Sequence, residues 1–107
     1  MNDKKFLQNY LKEISLKVIP SKEIFEKILK IKDVFLNIKK KKKKVLIFGN
    51  GGSAAISSHV SVDLTKNTKI KVFNFNEADL LTCFSNDYGY EKWVEKTIDF
   101  YADKGDV

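Results

Sequence analysis

The residues best suited to chemistry sit in one short stretch. Gly49-Asn50-Gly51-Gly52-Ser53 directly follows the wholly apolar run Val45-Leu46-Ile47-Phe48. Glycines there let the backbone take positive φ and let a ligand approach the main chain with no Cβ in the way. A helix beginning at this loop would present unpaired N–H groups and the positive end of its dipole, which together favour an anion. Ser53 can cap that helix and donate a hydroxyl hydrogen bond. The loop lacks the GK[ST] ending of a nucleoside-triphosphate loop and the GxGxxG spacing of a dinucleotide fold. Its residue types therefore point to an anion held by backbone amides.

Two further pairs carry polar chemistry. His59 and Asp63 are four apart on the segment leaving the loop, so a helix places them on one face. Such a pair supplies one nitrogen and one oxygen to a metal, or a base with an orienting partner, and it equally reads as an ordinary surface contact. Asn86-Asp87 lies in Ser85-Asn86-Asp87-Tyr88-Gly89, whose composition reads as a turn. Cys83, between Thr82 and Phe84, reads as buried packing rather than a nucleophile. Trp93 and the four tyrosines read as core or interface aromatics.

The elements that must position these groups follow from periodicity. Leu7, Leu11, Ile14 and Val18 form one helical stripe, and Ile24, Ile28, Ile31, Phe35 and Ile38 form a second. Pro20-Ser21 separates them, with Ser21 placed to cap the second helix. The period then changes. The run at Val45–Phe48 is bounded by charge and glycine, as in a strand buried on both faces. Ala55, Ile56, Val60 and Leu64 mark a helix, Lys69–Phe75 a second strand, and Asn76 the cap of a short helix through Phe84. A last helix spans about Tyr90–Tyr101, and Lys104-Gly105-Asp106 forms a turn. Strands alternating with helices predict an α/β layer with parallel strands. Two strands cannot make a sheet covered on both faces, so the expectation is one incomplete domain over residues 1–107. It divides into N-terminal helices at 1–40 and strand–helix units at 44–107, with the later part of the sheet missing.

Composition narrows the partners. The 107 residues are 43% apolar, enough for a core, and no apolar run approaches the roughly 20 residues of a membrane span. A single cysteine precludes an internal disulfide and suits a reducing cytoplasm, the expected location. The net charge of +6 equals the block Lys39–Lys44, since the remaining 14 lysines balance 14 acids, and the chain has no arginine. Arginine is the residue that forks onto guanine or phosphate. The block reads as a solvated loop, and neither a nucleic acid nor a membrane is an expected partner.

Taken together, KVLIFGNGGSAAISSHVSVDLT, CFSNDYGYEKW and ADKGDV resemble, in order and spacing, the sugar isomerase (SIS) domain family, above all its phosphoheptose isomerase branch. The typical pattern there is GNGGSAADAQHFAAEL, then ANDYGFEEVF, then a GDVL segment. The resemblance covers about Lys44 to Val107. It implies a flavodoxin-like parallel sheet flanked by helices, and a tetramer with sites between subunits. It also implies conversion of sedoheptulose 7-phosphate to glycero-manno-heptose 7-phosphate for lipopolysaccharide or capsule heptose.

Carried over by position, the resemblance makes Asn50, Gly51, Gly52 and Ser53 substrate-binding, with Asn86 and Asp87 as a further substrate contact. It makes His59 a zinc ligand, and it makes Asp63 both a zinc ligand and the catalytic base. Asp63 replaces the family's glutamate and is one methylene shorter, and Ile56 replaces a common aspartate. The family's serine-rich phosphate loop and its late glutamine and histidine have no counterpart up to Val107, so the chain alone is not expected to isomerise. The alternative is a non-catalytic relative that binds a phosphosugar or a protein partner such as the replication initiator.

Overall fold

A computed structural model describes residues 2–107. The chain divides into two compact units, Met1–Asp33 and Val34–Val107.

The first unit holds helix α1 (Asp3–Val18) and the first turns of helix α2 (Lys22–Lys40). Asn2 caps α1 by accepting the Lys4 N–H at 3.0 Å. Ser21 caps α2, as expected, by accepting the Ile24 N–H at 3.3 Å. The apolar stripes are present, yet Leu7, Leu11, Ile14 and Val18 of α1 and Ile24, Ile28 and Ile31 of α2 are all exposed.

The second unit is α/β. Strand β1 (Lys44–Ile47) pairs in parallel with β2 (Lys71–Asn74), in the register Lys44↔Lys71 to Ile47↔Asn74. Helix α3 (Gly52–Thr68) crosses from one to the other. Helix α4 (Ala78–Tyr88), a 3₁₀ turn at Tyr90–Lys92 and helix α5 (Trp93–Tyr101) follow β2. Alternation along the strands sorts the core into two layers. Val45, Ile47 and Val72 join Ile38 and Phe35 of α2, Ile70, and Leu64 of α3 in one apolar cluster. On the other face the rings of Phe48 and Trp93 meet edge to face at 5.7 Å, and Phe75 lies 4.8 Å from Tyr101. Phe84 reaches Phe100 at 5.7 Å, tying α4 to α5. Thr97 is 0% exposed, and its hydroxyl is satisfied within α5 by donating to the Trp93 carbonyl.

The two edges of the pair differ. On β2 the Thr65 hydroxyl of α3 accepts the Val72 N–H and donates to the Val72 carbonyl, at 3.2 and 3.3 Å. On β1, Val107 donates its N–H to the Lys44 carbonyl and accepts the Leu46 N–H, the pattern of a parallel neighbour opposite Val45. The turn before it, with Gly105 at φ 95°, places Asp106 beneath β1. There Asp106 accepts the N–H groups of Lys44 and Asp103 and pairs with the Lys44 ammonium. Among the described residues no helix is long and apolar enough to cross a membrane.

Three local expectations are corrected. Asn76 does not cap α4: Glu77 holds that position without a side-chain bond, because the Asn76 amide is engaged elsewhere. Ser53 does not cap α3, whose N-cap is Gly51. Ser85–Tyr88 is helical rather than a turn, with Gly89 alone, at φ 93°, breaking the helix. The ring of Phe84 against Tyr88, and the Lys96 ammonium 5.6 Å from the Tyr88 ring centre, hold that last turn.

Candidate functional site

The glycine-rich loop lies at the carboxyl ends of β1 and β2, where ligands of parallel α/β sheets bind. Each glycine has its own reason. A Cβ on Gly49 would overlap the Ser53 carbonyl, so only glycine lets the strand end pass under the first turn of α3. Gly51 has φ 55° and ψ −127°, backbone that L residues rarely adopt. Gly52 has neither constraint: its φ is ordinary and a Cβ there would meet nothing within 4 Å. The first turn closes by Ser53 N–H to the Asn50 carbonyl and Ala54 N–H to the Gly51 carbonyl, both 3.0 Å. That leaves the N–H groups of Asn50, Gly51 and Gly52 without a backbone acceptor among the described residues. Three successive donors lie free at the positive end of a 17-residue helix, an arrangement that electrostatically favours an anion.

Side chains from the end of β2 and the segment just after it hold this loop in place. Asn76 accepts the Gly49 N–H at 3.0 Å and donates to the Gly49 carbonyl. The Asn74 amide nitrogen lies 3.0 Å from three acceptors that its two N–H groups share, the Ile47 carbonyl, the Ser57 hydroxyl and Asn76 Oδ1, and Asn74 Oδ1 accepts the Asn76 N–H at 3.1 Å. Ser57, buried on α3, passes its own proton to the Ala54 carbonyl. In front, the Tyr90 hydroxyl donates to Asn50 Oδ1 at 2.7 Å. With its oxygen occupied, the Asn50 amide keeps both N–H donors free. A cleft of about 400 Å³ opens here, lined by Phe48, Gly49, Asn50, Tyr90, Glu91, Trp93 and Val94.

The remaining candidates lie apart from that cleft. His59 Nε2 is 3.2 Å from Asp63 Oδ2, and Lys66 Nζ is 3.8 Å from Asp63 Oδ1. Their side chains are 78% and 46% exposed. Ser57 and Ser61 face the core two residues earlier in each case, so His59 and Asp63 project from the opposite side of α3. Asp63 is eleven residues beyond Gly52, about 16 Å along the axis. Asn86 donates to Asp87 Oδ1 at 3.1 Å in the exposed last turn of α4. Cys83 is exposed rather than buried, with its sulfur 3.6 Å from Asp87 Oδ2. The Asp87 charge, with some burial, pushes that thiol above its ordinary pKa, which disfavours the nucleophilic thiolate. Among the described residues no three His, Cys, Asp or Glu side chains cluster as metal ligands.

Asn74, Asn76 and Tyr90 were not singled out by the sequence as site residues. Asn76 carries the strongest signal in retrospect, since the strand register sets it opposite Gly49.

Comparison with known proteins gives a consistent result. No protein-family model matches the chain. It is 28% identical to the phosphoheptose isomerase of Clostridium acetobutylicum over 97% of its own length and 58% of that protein's. It is 31% identical to the phosphoheptose isomerase of Aliarcobacter butzleri, over 97% of itself and 56% of the relative. It is 35% identical to that of Helicobacter hepaticus, over 75% of itself and 44% of the relative. The chain thus spans about half the length of the curated relatives it matches.

Proposed function

We infer that this chain, similar over nearly all its length to phosphoheptose isomerases of the sugar isomerase family, is the phosphosugar-gripping part of a ketose–aldose phosphate isomerase. The observation that carries the reading is the cradle of free Asn50, Gly51 and Gly52 N–H groups. A sugar phosphate places its phosphoryl oxygens on those donors, where the helix dipole contributes roughly 0.3–2 kcal/mol. The sugar hydroxyls then fall in the adjoining cleft beside the Asn50 amide and the Glu91 carboxylate. Sedoheptulose 7-phosphate is the substrate the relatives' name suggests.

Isomerisation moves a proton between adjacent carbons through an enediol, which requires a carboxylate base near an anchored substrate. Asp63 is the proposed base and His59 its orienting partner. Both project from the outer face of α3, a placement suited to a site shared with another subunit. The exposed apolar stripes of α1 and of α2 likewise suit assembly, a tetramer being the family's form. Zinc is a further proposal, with His59 and Asp63 as two ligands. A catalytic zinc centre uses three protein ligands, and these two side chains alone do not fit one.

A non-catalytic phosphosugar-binding role is the second reading. It is favoured by the engagement of Asp63 with both His59 and Lys66. The experiment that tests the shared premise is an amide NMR titration of the chain with sedoheptulose 7-phosphate, alongside sedoheptulose. Saturable shifts at Gly51 and Gly52 with the phosphate ester alone are expected. Equal response to the unphosphorylated sugar, or none to either, overturns the reading. Assay of aldose formation by a longer protein carrying this segment then separates the two roles.

A further inference from the structure

The parallel ladder ends at Ile47↔Asn74, yet its pairing continues for one more rung by other means. Continuing the register would set Gly49 opposite Asn76. At that level the chains have diverged, β1 turning into the loop before α3 and β2 heading for α4. The peptide groups of Gly49 would be left part-buried and unpaired, which is costly. The Asn76 side chain supplies the missing rung. A carboxamide carries a donor and an acceptor side by side, as a peptide group does, and Asn76 meets both the N–H and the carbonyl of Gly49. Asn74 fixes the carboxamide in turn, donating to Asn76 Oδ1 and accepting the Asn76 N–H.

We propose that Asn76 is the positioning residue of the anion cradle, holding the glycine-rich loop in its binding shape before any ligand arrives. It touches no ligand. It uses up both polar groups of Gly49, so the loop pivots at a fixed point, and the next three N–H groups remain without a backbone acceptor. Without it Gly49 is free to turn, and the ordering of the loop must be supplied by the ligand, which lowers affinity. The inference rests on the phosphosugar reading above and deepens it.

The test compares the full chain with Asn76→Ala, Asn76→Asp and Thr65→Ala, following sedoheptulose 7-phosphate binding by amide NMR and stability by urea melting. Asn76→Asp keeps the acceptor for the Gly49 N–H, sets a second acceptor against the Gly49 carbonyl and adds a negative charge beside the loop. Thr65→Ala removes the hydroxyl at the β2 edge and serves as a destabilised control remote from the loop. Asn76→Ala is expected to weaken binding about tenfold, the loss of one to two hydrogen bonds. Asn76→Asp is expected to weaken binding at least as much as Asn76→Ala, and Thr65→Ala to bind as the unaltered chain does at saturating folded fraction. Unchanged affinity in folded Asn76→Ala, or a loss matched by Thr65→Ala, overturns the inference while leaving the phosphosugar reading intact. Should Asn76→Ala fail to fold, unchanged affinity in folded Asn76→Asp overturns it equally. An unaltered chain that ignores the phosphate ester removes both.

Discussion

Gly52→Ala separates stability from binding more sharply than any other change in this chain. Gly52 opens α3 with an ordinary φ, and a methyl group there meets no protein atom within 4 Å. Replacing glycine by alanine at a compatible position restricts the unfolded chain and stabilises by about 0.4–1 kcal/mol. Alanine also extends a helix more readily, though the first position realises only part of that gain. For a folded unit of this size, about 0.5–1 kcal/mol corresponds to a rise in Tm of roughly 2–8 °C. The same methyl enters the open space beside the loop, where a phosphoryl oxygen held by the Gly52 N–H must come within about 3 Å of that nitrogen. Binding of sedoheptulose 7-phosphate should therefore fall about tenfold or more while the melting temperature rises. Thermal melting and an NMR titration of one sample measure both. A Gly52→Ala chain that is more stable and binds unchanged would refute the cradle, since the phosphate would then not approach the Gly52 N–H. Gly49→Ala provides the contrast: its Cβ overlaps the Ser53 carbonyl, so the chain itself should be strongly destabilised.

Other outcomes follow from the same geometry. Burial alone would raise the Asp106 pKa. Hydrogen bonds from the Lys44 ammonium and from the Lys44 and Asp103 N–H groups outweigh it and lower the value to about 2. The carboxylate, with its side chain only 3% exposed, therefore contributes stability above its unfolded pKa near 4. That contribution, on the order of 2 kcal/mol, is lost as pH falls from about 4 to 2, and Asp106→Asn should flatten this part of a pH–stability curve. Tyr90→Phe removes the hydroxyl that orients Asn50 and keeps the ring. It should weaken phosphosugar binding a fewfold with melting unchanged, as read by the same titration. His59→Gln and Asp63→Asn should each shift stability by less than about 0.5 kcal/mol in urea melts, because both side chains and the contact between them are exposed to solvent.

The order of elements was legible because the apolar period changes at Lys44, from helical stripes to a four-residue run bounded by charge and glycine. The glycine loop was legible for the same reason: a strand, three glycines in four positions and then a helix leave few backbone solutions. What failed to show was polar and non-local. An asparagine preceding a helix reads as a cap, and nothing local reveals that Asn76 bonds a residue 27 positions earlier. Ser85–Tyr88 has turn-forming residues, but aromatic contacts from α5 carry the helix through to Gly89. Cys83 sits among apolar residues in the sequence, and only the placement of α4 leaves it facing outward. The stripes of α1 and α2 were read correctly as apolar faces, whereas their exposure is a property no periodicity encodes.

The unequal treatment of the two strand edges gives this sheet a direction of growth. A threonine hydroxyl seals the outer side of β2 at Val72, so an incoming strand finds its hydrogen-bonding groups already taken. Beside β1, Val107 occupies only the near half, and past Leu46 the edge has no backbone partner among the described residues. Recruitment of further strands, whether by the same polypeptide or by a neighbour in a crowded solution, is thereby channelled to a single flank.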